Sequence, residues 1–392
     1  MAEPISSSKV KNMEPITFKS LIGIEGKHFI LETSSLPGRP RYSYYIQLDG
    51  RIISQKESDF PEGLSDEGMK HYLQSGHKAR AVELESIFRL NRKIDEKATP
   101  DTCWKMGVIF LSNGFYEDAK NRFLKALELD AVHLQSAKCY GITLMLLSDL
   151  EGAIAALNRA KEIGPSFADI YYHLGNAYLF NKDLDQATQC YLQALQINPR
   201  YADARLRLGT ACVGYLLQSG STLNDVKTQE LVERARKEAE TAASLNPKVR
   251  NRSFILAVDY LKTKKYQQAY QSFLEVRPKY VPRTGDEIVF YFNLTLLYGS
   301  EGIDLQMTEQ YVEKLGKVIE EYPQYADLHH HLGVAFLIKC RFDVTRSLKE
   351  FQKALEINPQ YKKAIVHSAD VEELNKKVLV VLKKTIISAV NN

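Results

Sequence analysis

Three adjacent histidines, His329, His330 and His331, form the densest group of potential metal ligands in the sequence. Successive side chains of an α-helix point about 100° apart, so three neighbours on one helix cannot converge on a single metal ion. The sequence also lacks a phosphate-binding loop, a dinucleotide-binding fingerprint, a nucleophile elbow and a His-Glu-x-x-His zinc motif. We therefore predict no catalytic residues, no metal and no cofactor, and we expect that the protein is not an enzyme.

The charged residues are dispersed along the chain. Lysine and arginine number 52 against 48 aspartates and glutamates, and the net charge of +4 gives no general attraction to nucleic acid or membranes. Paired lysines recur at positions 362–363, 376–377 and 383–384, but aromatic residues are not interleaved with them. Nucleic-acid surfaces commonly combine basic and aromatic side chains, so we expect no nucleic-acid partner.

The five cysteines are scattered and show no metal-type spacing. An odd number of isolated cysteines favours reduced thiols and hence a cytoplasmic location. The first 15 residues lack the apolar core of a signal peptide, and no segment approaches the length of about 18 apolar residues that a membrane-spanning helix needs. We predict a cytoplasmic protein without a membrane span.

Helical hairpins are the elements that must position any site. Apolar residues at helical spacing run from Ala168 to Phe180, the polar triplet 181–183 interrupts them, and a second helical pattern ends at Asn198-Pro199. The residue before proline avoids the α region, which explains the stop. Each arm has one apolar face, so the hairpin needs neighbours to bury both faces.

Small residues recur along the sequence with a period of 34 residues. The matched positions include Gly107, Gly141, Gly175 and Gly209, then Ala119, Ala153 and Ala187, and then Ala126, Ala160 and Ala194. Small side chains allow the helices to approach closely. A helix–turn–helix unit of this length and pattern resembles the tetratricopeptide repeat family, and the resemblance extends from about Pro100 to the C-terminal end.

This resemblance implies a mainly α fold, an α-solenoid of about seven helical hairpins. The fourth repeat is stretched, and the extra residues near 217–227 are predicted to form a loop. The seventh repeat, with Gly333 and Phe351 in phase, is predicted to be a complete hairpin.

A small antiparallel β unit is predicted before the repeats. Four segments rich in β-branched and aromatic residues cover 17–24, 27–33, 41–48 and 51–55, and Asp49-Gly50 predicts a tight hairpin turn. A helix should follow Ser65 and end near Glu96, with a possible break at Gly76. The predicted domains are a flexible lead (1–15), the β unit (16–60), a helical connector or cap (61–99), the solenoid (100–360) and a C-terminal capping helix (361–392).

The resemblance also implies a concave groove, lined by the residues three before and one after the small residue of each first helix. In this sequence these positions hold Trp104, Val108, Lys138, Ile142, Tyr172, Asn176, Leu206, Thr210, Phe254, Val258, His330 and Val334. Some family members clamp a C-terminal acidic peptide with lysine, asparagine and arginine, and only Lys138 and Asn176 are of that type here. Asn176 matches the family asparagine that hydrogen-bonds a ligand backbone.

Several functions are compatible with such a groove. The leading prediction is an adaptor or scaffold that holds an amphipathic or extended protein segment by burial of apolar anchors. Alternatively, the groove is filled from within by the β unit, by the helix 65–96 or by tight superhelical closure. A self-assembling scaffold, joined through the β edge or the C-terminal tail, and a regulatory module whose β unit senses a ligand are the other two possibilities.

Overall fold

The protein is mainly α, with helical repeats and a small N-terminal antiparallel sheet. A computed structural model describes residues 15–24, 26–36, 41–276, 286–298, 305–321, 323, 326–357 and 369–381. The chain divides into two compact units. The mixed unit comprises Met1–Ala98, Ser112–Gly114 and Pro282–Asn392, and the repeat unit comprises Thr99–Leu111 and Phe115–Val281. Most of the predicted flexible lead, residues 1–14, lies outside the described residues.

The sheet of the mixed unit is a four-stranded antiparallel meander in the order β1-β2-β3-β4. Its strands are β1 (Thr17–Ile24), β2 (Lys27–Ser35), β3 (Arg41–Leu48) and β4 (Arg51–Asp59). Leu31 pairs with Ser20 on β1 and with Ile46 on β3. Because successive side chains of a strand point to opposite faces of the sheet, the buried apolar residues of the strands lie on one face. Asp49 and Gly50 have φ values of 50° and 77°, which confirms the predicted hairpin turn.

Helix α1 (Asp66–Asp95) covers the apolar face of this sheet. The Ser65 hydroxyl caps it by accepting from the Gly68 N–H at 3.1 Å. The rings of Phe29 and Phe88 lie 5.4 Å apart between the two layers. The possible break at Gly76 does not occur, because packing of this helix on the sheet outweighs the cost of about 1 kcal/mol for an internal glycine.

The repeat unit, over 99–111 and 115–276, consists of five helical hairpins. Their helices are α2 (Pro100–Ser112) and α3 (Tyr116–Leu129), α4 (Leu134–Leu146) and α5 (Leu150–Ile163), α6 (Ala168–Phe180) and α7 (Leu184–Ile197), α8 (Ala202–Ser219) and α9 (Asp225–Leu245), and α10 (Arg252–Lys262) and α11 (Tyr266–Val276). A Cβ atom added to Gly175 would lie 2.7 Å from Tyr191, and one added to Gly107 would lie 2.5 Å from Phe123. The glycines thus permit the close helix contact that their period predicts.

The inner turns of the hairpins share one backbone device. Ser148, Lys182 and Lys264 have φ values of 68°, 64° and 57° at equivalent positions. Asp149 and Asp183 follow two of them and cap the second helix of their hairpins with a side-chain oxygen. A left-handed residue followed by a cap therefore reverses the chain.

The fourth hairpin is extended by helix rather than by a loop. Helix α8 continues to Ser219, a short 3-10 turn covers Gly220–Thr222, and α9 begins at Asp225, where Asn224 is the cap. The prediction of a loop over 217–227 was therefore wrong for most of these residues. Helix α11 of the fifth hairpin then packs directly on α8, with Tyr270 lying 3.3 Å from the position of a Cβ on Gly214.

The C-terminal part of the mixed unit contains α12 (Asp286–Tyr298), α13 (Leu305–Glu321) and α14 (Ala326–Ile357), and residues 369–381 are also helical. The predicted seventh hairpin was wrong, since α14 is one continuous helix. The position equivalent to Ser148-Asp149 holds Cys340-Arg341, and the helix continues through it without a turn. Of the predicted C-terminal cap, 361–368 and 382–392 lie outside the described residues.

Helix α12 packs on α1, so the mixed unit joins segments that are far apart in sequence. Glu83 on α1 adds a contact with α13: it pairs with Arg80 at 2.9 Å and with Lys314 on α13 at 3.3 Å. Arg80 also donates to Asn113 Oδ1 at 2.8 Å and lies 5.2 Å from the centre of the Tyr44 ring. Burial alone would raise the pKa of Glu83, but Arg80 and Lys314 hold it below its usual value.

Candidate partner-binding site

The first helices of the first three hairpins, α2, α4 and α6, carry half-buried side chains at equivalent positions. These are Trp104, Lys138 and Tyr172, and we call the surface around them the first-helix strip. Lys138 Nζ contacts Asp169 Oδ2 at 2.7 Å and links α4 to α6. Neighbouring repeats are therefore joined within the strip by at least this ion pair.

The centre of the strip is an ion pair beside a neutral histidine. Burial alone would raise the pKa of Asp169, but the Lys138 ammonium, with help from the Ile170 N–H, holds that pKa below its usual value. Burial and the same ammonium lower the pKa of His173 to about 3. At neutral pH, Lys138 and Asp169 therefore cancel in charge, and His173 adds none.

The Trp104 end of the strip is also an internally paired cluster. His133 Nε2 lies 3.4 Å from Asp101 Oδ1, and Lys105 Nζ lies 3.3 Å from Asp101 Oδ2. The hydrogen bond from His133, together with the Lys105 ammonium, lowers the pKa of Asp101. The indole of Trp104 lies 6.1 Å from the His133 ring, so this cluster holds the aromatic side chain at the edge of the strip.

Ser136, His133 and Asp101 follow the order of a hydrolase triad, and sequence reasoning missed this grouping because about 30 positions separate Asp101 from the other two. His133 Nδ1 lies 2.7 Å from Ser136 Oγ. However, Ser136 is fully buried, and His133 is the cap of α4 and accepts from the Ser136 N–H. This arrangement fixes the start of a helix, and a substrate has no access to the serine.

The Tyr172 end of the strip combines aromatic rings with one amide. The Tyr172 ring lies 5.1 Å from that of Tyr201 and 6.4 Å from that of Tyr191. The Tyr191 hydroxyl donates to Asn176 Oδ1 at 2.8 Å, and Asn176 is only 1% exposed. Its Nδ2 has no hydrogen-bond partner among the described residues, and such a buried donor costs about 1–3 kcal/mol.

Most of the remaining predicted groove residues form the walls of the unit. Val108 and Ile142 are buried on α2 and α4. Leu206 and Phe254 are buried in one cluster with Phe273, because α11 covers the face of α8 that was predicted to be open. The other predicted positions of these two hairpins, Thr210 and Val258, are respectively fully buried and packed against that cluster.

The last two predicted groove residues lie apart from the strip. His330 is exposed on α14 in the mixed unit, with its ring 5.5 Å from that of His331, and Val334 is buried in the core of that unit. Since α14 is not a hairpin, these positions do not continue the strip. Among the predicted positions that the structure describes, Trp104, Lys138 and Tyr172 are half-buried at equivalent positions of three successive first helices, and Asn176 is buried one turn after Tyr172.

The described residues also bear on metal binding and on membrane insertion. Among the described residues, no group of three or more His, Cys, Asp or Glu side chains could hold a metal ion. Within the same ranges, none of the helices combines the length and the apolar character required to cross a bilayer. All five cysteines are free thiols.

Two family models match part of the repeat unit. A model described as "Tetratricopeptide repeat" matches residues 168–201, and one described as "TPR repeat" matches residues 143–182. No curated protein matches the chain.

Solved structures of repeat proteins are similar to parts of the chain. MamA from Desulfovibrio magneticus RS-1 is 21% identical with a TM-score of 0.36, covering 45% of this chain and 92% of its own. Pseudomonas aeruginosa PilF is 17% identical with a TM-score of 0.36, covering 59% and 95%. A thermophilic TPR protein of Thermus thermophilus is 17% identical with a TM-score of 0.32, covering 61% and 99%. At these identities and TM-scores, nothing about function transfers.

Proposed function

The chain belongs to the tetratricopeptide repeat family, and from that premise we propose that it is a non-enzymatic adaptor that holds a segment of a partner protein. Repeats of this family form protein-interaction scaffolds, which is the general basis of the proposal. The partner segment lies along the first-helix strip and is anchored by Trp104 and Tyr172. The free thiols, several of them buried, support action in the reducing cytoplasm.

The observation that carries the proposal is the row of half-buried side chains at Trp104, Lys138 and Tyr172 on three adjacent helices. Large aromatic side chains that remain partly open to solvent gain free energy when a partner covers them. They are also the residue types that dominate binding energy at interfaces. The row ends where α11 covers α8, so the first three hairpins form the proposed site.

Affinity capture with the full chain as bait tests this function. The test variants are Trp104→Ala and Tyr172→Ala, and the matched control is Leu192→Ala, since Leu192 is 44% exposed on the second helix α7. We expect the control to retain the same proteins as the unaltered chain and each test variant to lose them, with unchanged helical circular dichroism. Equal retention by folded test variants would show that the partner binds elsewhere.

Self-assembly through the sheet is a second candidate, supported by the position of β1. This strand forms one edge of the sheet, and its Leu21 side chain is 72% exposed. Edge strands of this kind readily pair with a second chain. Light scattering should then report a mass above that of one chain, and Leu21→Lys should lower it; a single chain mass at every concentration rejects this candidate.

No observation favours the ligand-sensing alternative, because protein side chains occupy the inner face of the sheet throughout the described residues. Phe29 packs on Phe88 there. His77, which is buried on α1, is held by the Ser20 hydroxyl at 2.8 Å and the Thr33 hydroxyl at 3.0 Å. These contacts join the sheet to its own helix.

A further inference from the structure

We propose that Asp169 determines the class of partner: by occupying Lys138, it directs the first-helix strip toward internal, uncharged segments and away from free C-terminal carboxylates. This inference rests on the proposed function of the strip. It assigns Asp169 a role in specificity and does not require that Asp169 contact the partner.

The first step is the geometry of the pair. Lys138 Nζ lies 2.7 Å from Asp169 Oδ2, and the lysine side chain is only 18% exposed. The Lys138 ammonium has three N–H donors, so a partner carboxylate could either lie beside Asp169, where the two negative charges repel, or displace it and replace one carboxylate with another. Because the displaced Asp169 would be left partly buried without its cation, the exchange brings no net electrostatic gain.

The second step is the charge balance of the whole strip. Lys105 is paired with Asp101, as Lys138 is with Asp169. His173 is neutral at physiological pH because its pKa is about 3. The cations and anions of the strip are therefore matched within the protein, and its electrostatic complement is a segment without net charge.

The third step concerns the uncharged groups. Trp104 and Tyr172 are half-buried aromatic side chains, whereas the amide of Asn176 is buried beneath the strip and closed to a partner. An extended peptide offers apolar side chains that can cover the two rings along its entire length. These features occur in any internal segment, so recognition does not depend on a chain terminus.

Two random peptide libraries of about a dozen residues distinguish the possibilities. In one library each peptide ends in a free C-terminus. In the other, the flanked library, each peptide is embedded in a longer polypeptide, so that neither of its ends is free. The baits are the full chain, Asp169→Asn, Tyr172→Ala, and Glu117→Gln, the last being the same chemical change at an exposed carboxylate of α3. Selected peptides are then synthesised with a free and with an amidated C-terminus, and their Kd values are measured.

We expect the unaltered chain and Glu117→Gln to select peptides from the flanked library that need Tyr172 and tolerate amidation. Asp169→Asn removes the negative charge beside Lys138, so it should gain affinity for free carboxylates by at least about tenfold. Should that variant fail to fold, the free and amidated forms of the peptides selected by the unaltered chain should still bind it with Kd values within about threefold of each other.

The inference fails if peptides selected by the unaltered chain lose more than about tenfold in affinity on amidation, or if folded Asp169→Asn gains no affinity for free carboxylates. That result would leave the proposed function intact, because the peptides would still bind the strip. If neither library yields peptides that depend on Tyr172, the proposed function itself fails. The two failures are therefore distinct.

Discussion

The two units of this chain obtain their stability from contacts of different range. In the repeat unit, each helix packs mainly on helices next to it in sequence, and its central ion pair joins Lys138 and Asp169, 31 positions apart. In the mixed unit, Glu83 contacts Lys314 across 231 positions. Both units place a carboxylate beside a lysine, but only the first carries a periodic signal in the sequence. Periodicity thus identifies short-range architecture and is silent on long-range contacts.

Removal of the Glu83 carboxylate should have the largest effect on stability. Glu83→Ala leaves Arg80 in a partly buried position without its carboxylate, which should cost about 3 kcal/mol in the unfolding free energy of the mixed unit. Hydrogen exchange read by mass spectrometry should show faster exchange in α1, α12 and α13 and unchanged exchange in α4–α7.

Lys314→Ala is the matched control for that change. Lys314 is 52% exposed, so its loss should cost less than about 1 kcal/mol. Equal acceleration of exchange in both units after Glu83→Ala would show that they unfold as one, and the contrast between them would then be false.

Two glycines at the same repeat position provide a sharper comparison. A Cβ on Gly175 would lie 2.7 Å from Tyr191, whereas one on Gly333 meets nothing within 4 Å among the described residues. Gly175→Ala should therefore destabilise the repeat unit by about 1–3 kcal/mol, because the close contact is overpacked. Gly333→Ala should be neutral or stabilising by up to about 1 kcal/mol, because alanine favours a helix.

Chemical denaturation followed by circular dichroism measures both glycine variants. If Gly333→Ala lost as much stability as Gly175→Ala, a helix would have to pack closely on α14 at Gly333 itself. That is the arrangement which the predicted seventh hairpin required. The pair therefore tests the continuous helix directly.

Acid should weaken the repeat unit through His173. Its pKa is about 3 in the folded chain and about 6.5 when unfolded, so the unfolded chain binds more protons between these values. The unfolding free energy should be unaffected above pH 6.5 and fall by roughly 1 kcal/mol per pH unit below it. In His173→Gln, the unfolding free energy of α4–α7 should depend less steeply on pH. An unchanged dependence would assign the acid sensitivity to other groups.

The repeats could be predicted from the sequence because their structural requirements are local. Gly107, Gly141 and Gly175 recur at sites where a Cβ would clash, and the hairpin turn at Asp49-Gly50 is likewise set by adjacent residues. The seventh repeat shows the limit of this reasoning: Gly333 keeps the spacing, but the chain continues as one helix through Cys340-Arg341. The turn residues do not separate the two cases, because Lys264-Lys265 also lacks a capping oxygen and yet makes the turn of the fifth hairpin.

The candidate site was predictable only in part. The spacing selected Trp104, Lys138 and Tyr172 as candidates, and these stay a prediction. It could not reveal that Leu206 and Phe254 are covered, because the covering helix α11 follows an enlarged fourth hairpin. Nor could it pair Lys138 with Asp169, since that contact depends on the approach of two repeats. The contacts among Arg80, Glu83 and Lys314 produce no periodic pattern in the sequence, so the sequence could not predict them.

The split of the mixed unit between the two ends of the chain also governs the order of events during translation. The ribosome releases α1 long before α12, and the five intervening hairpins can fold in the meantime from contacts already synthesised. Throughout that interval, the face of α1 that receives α12 stays uncovered. We therefore expect ribosome-bound chains that end before α12 to expose this face of α1.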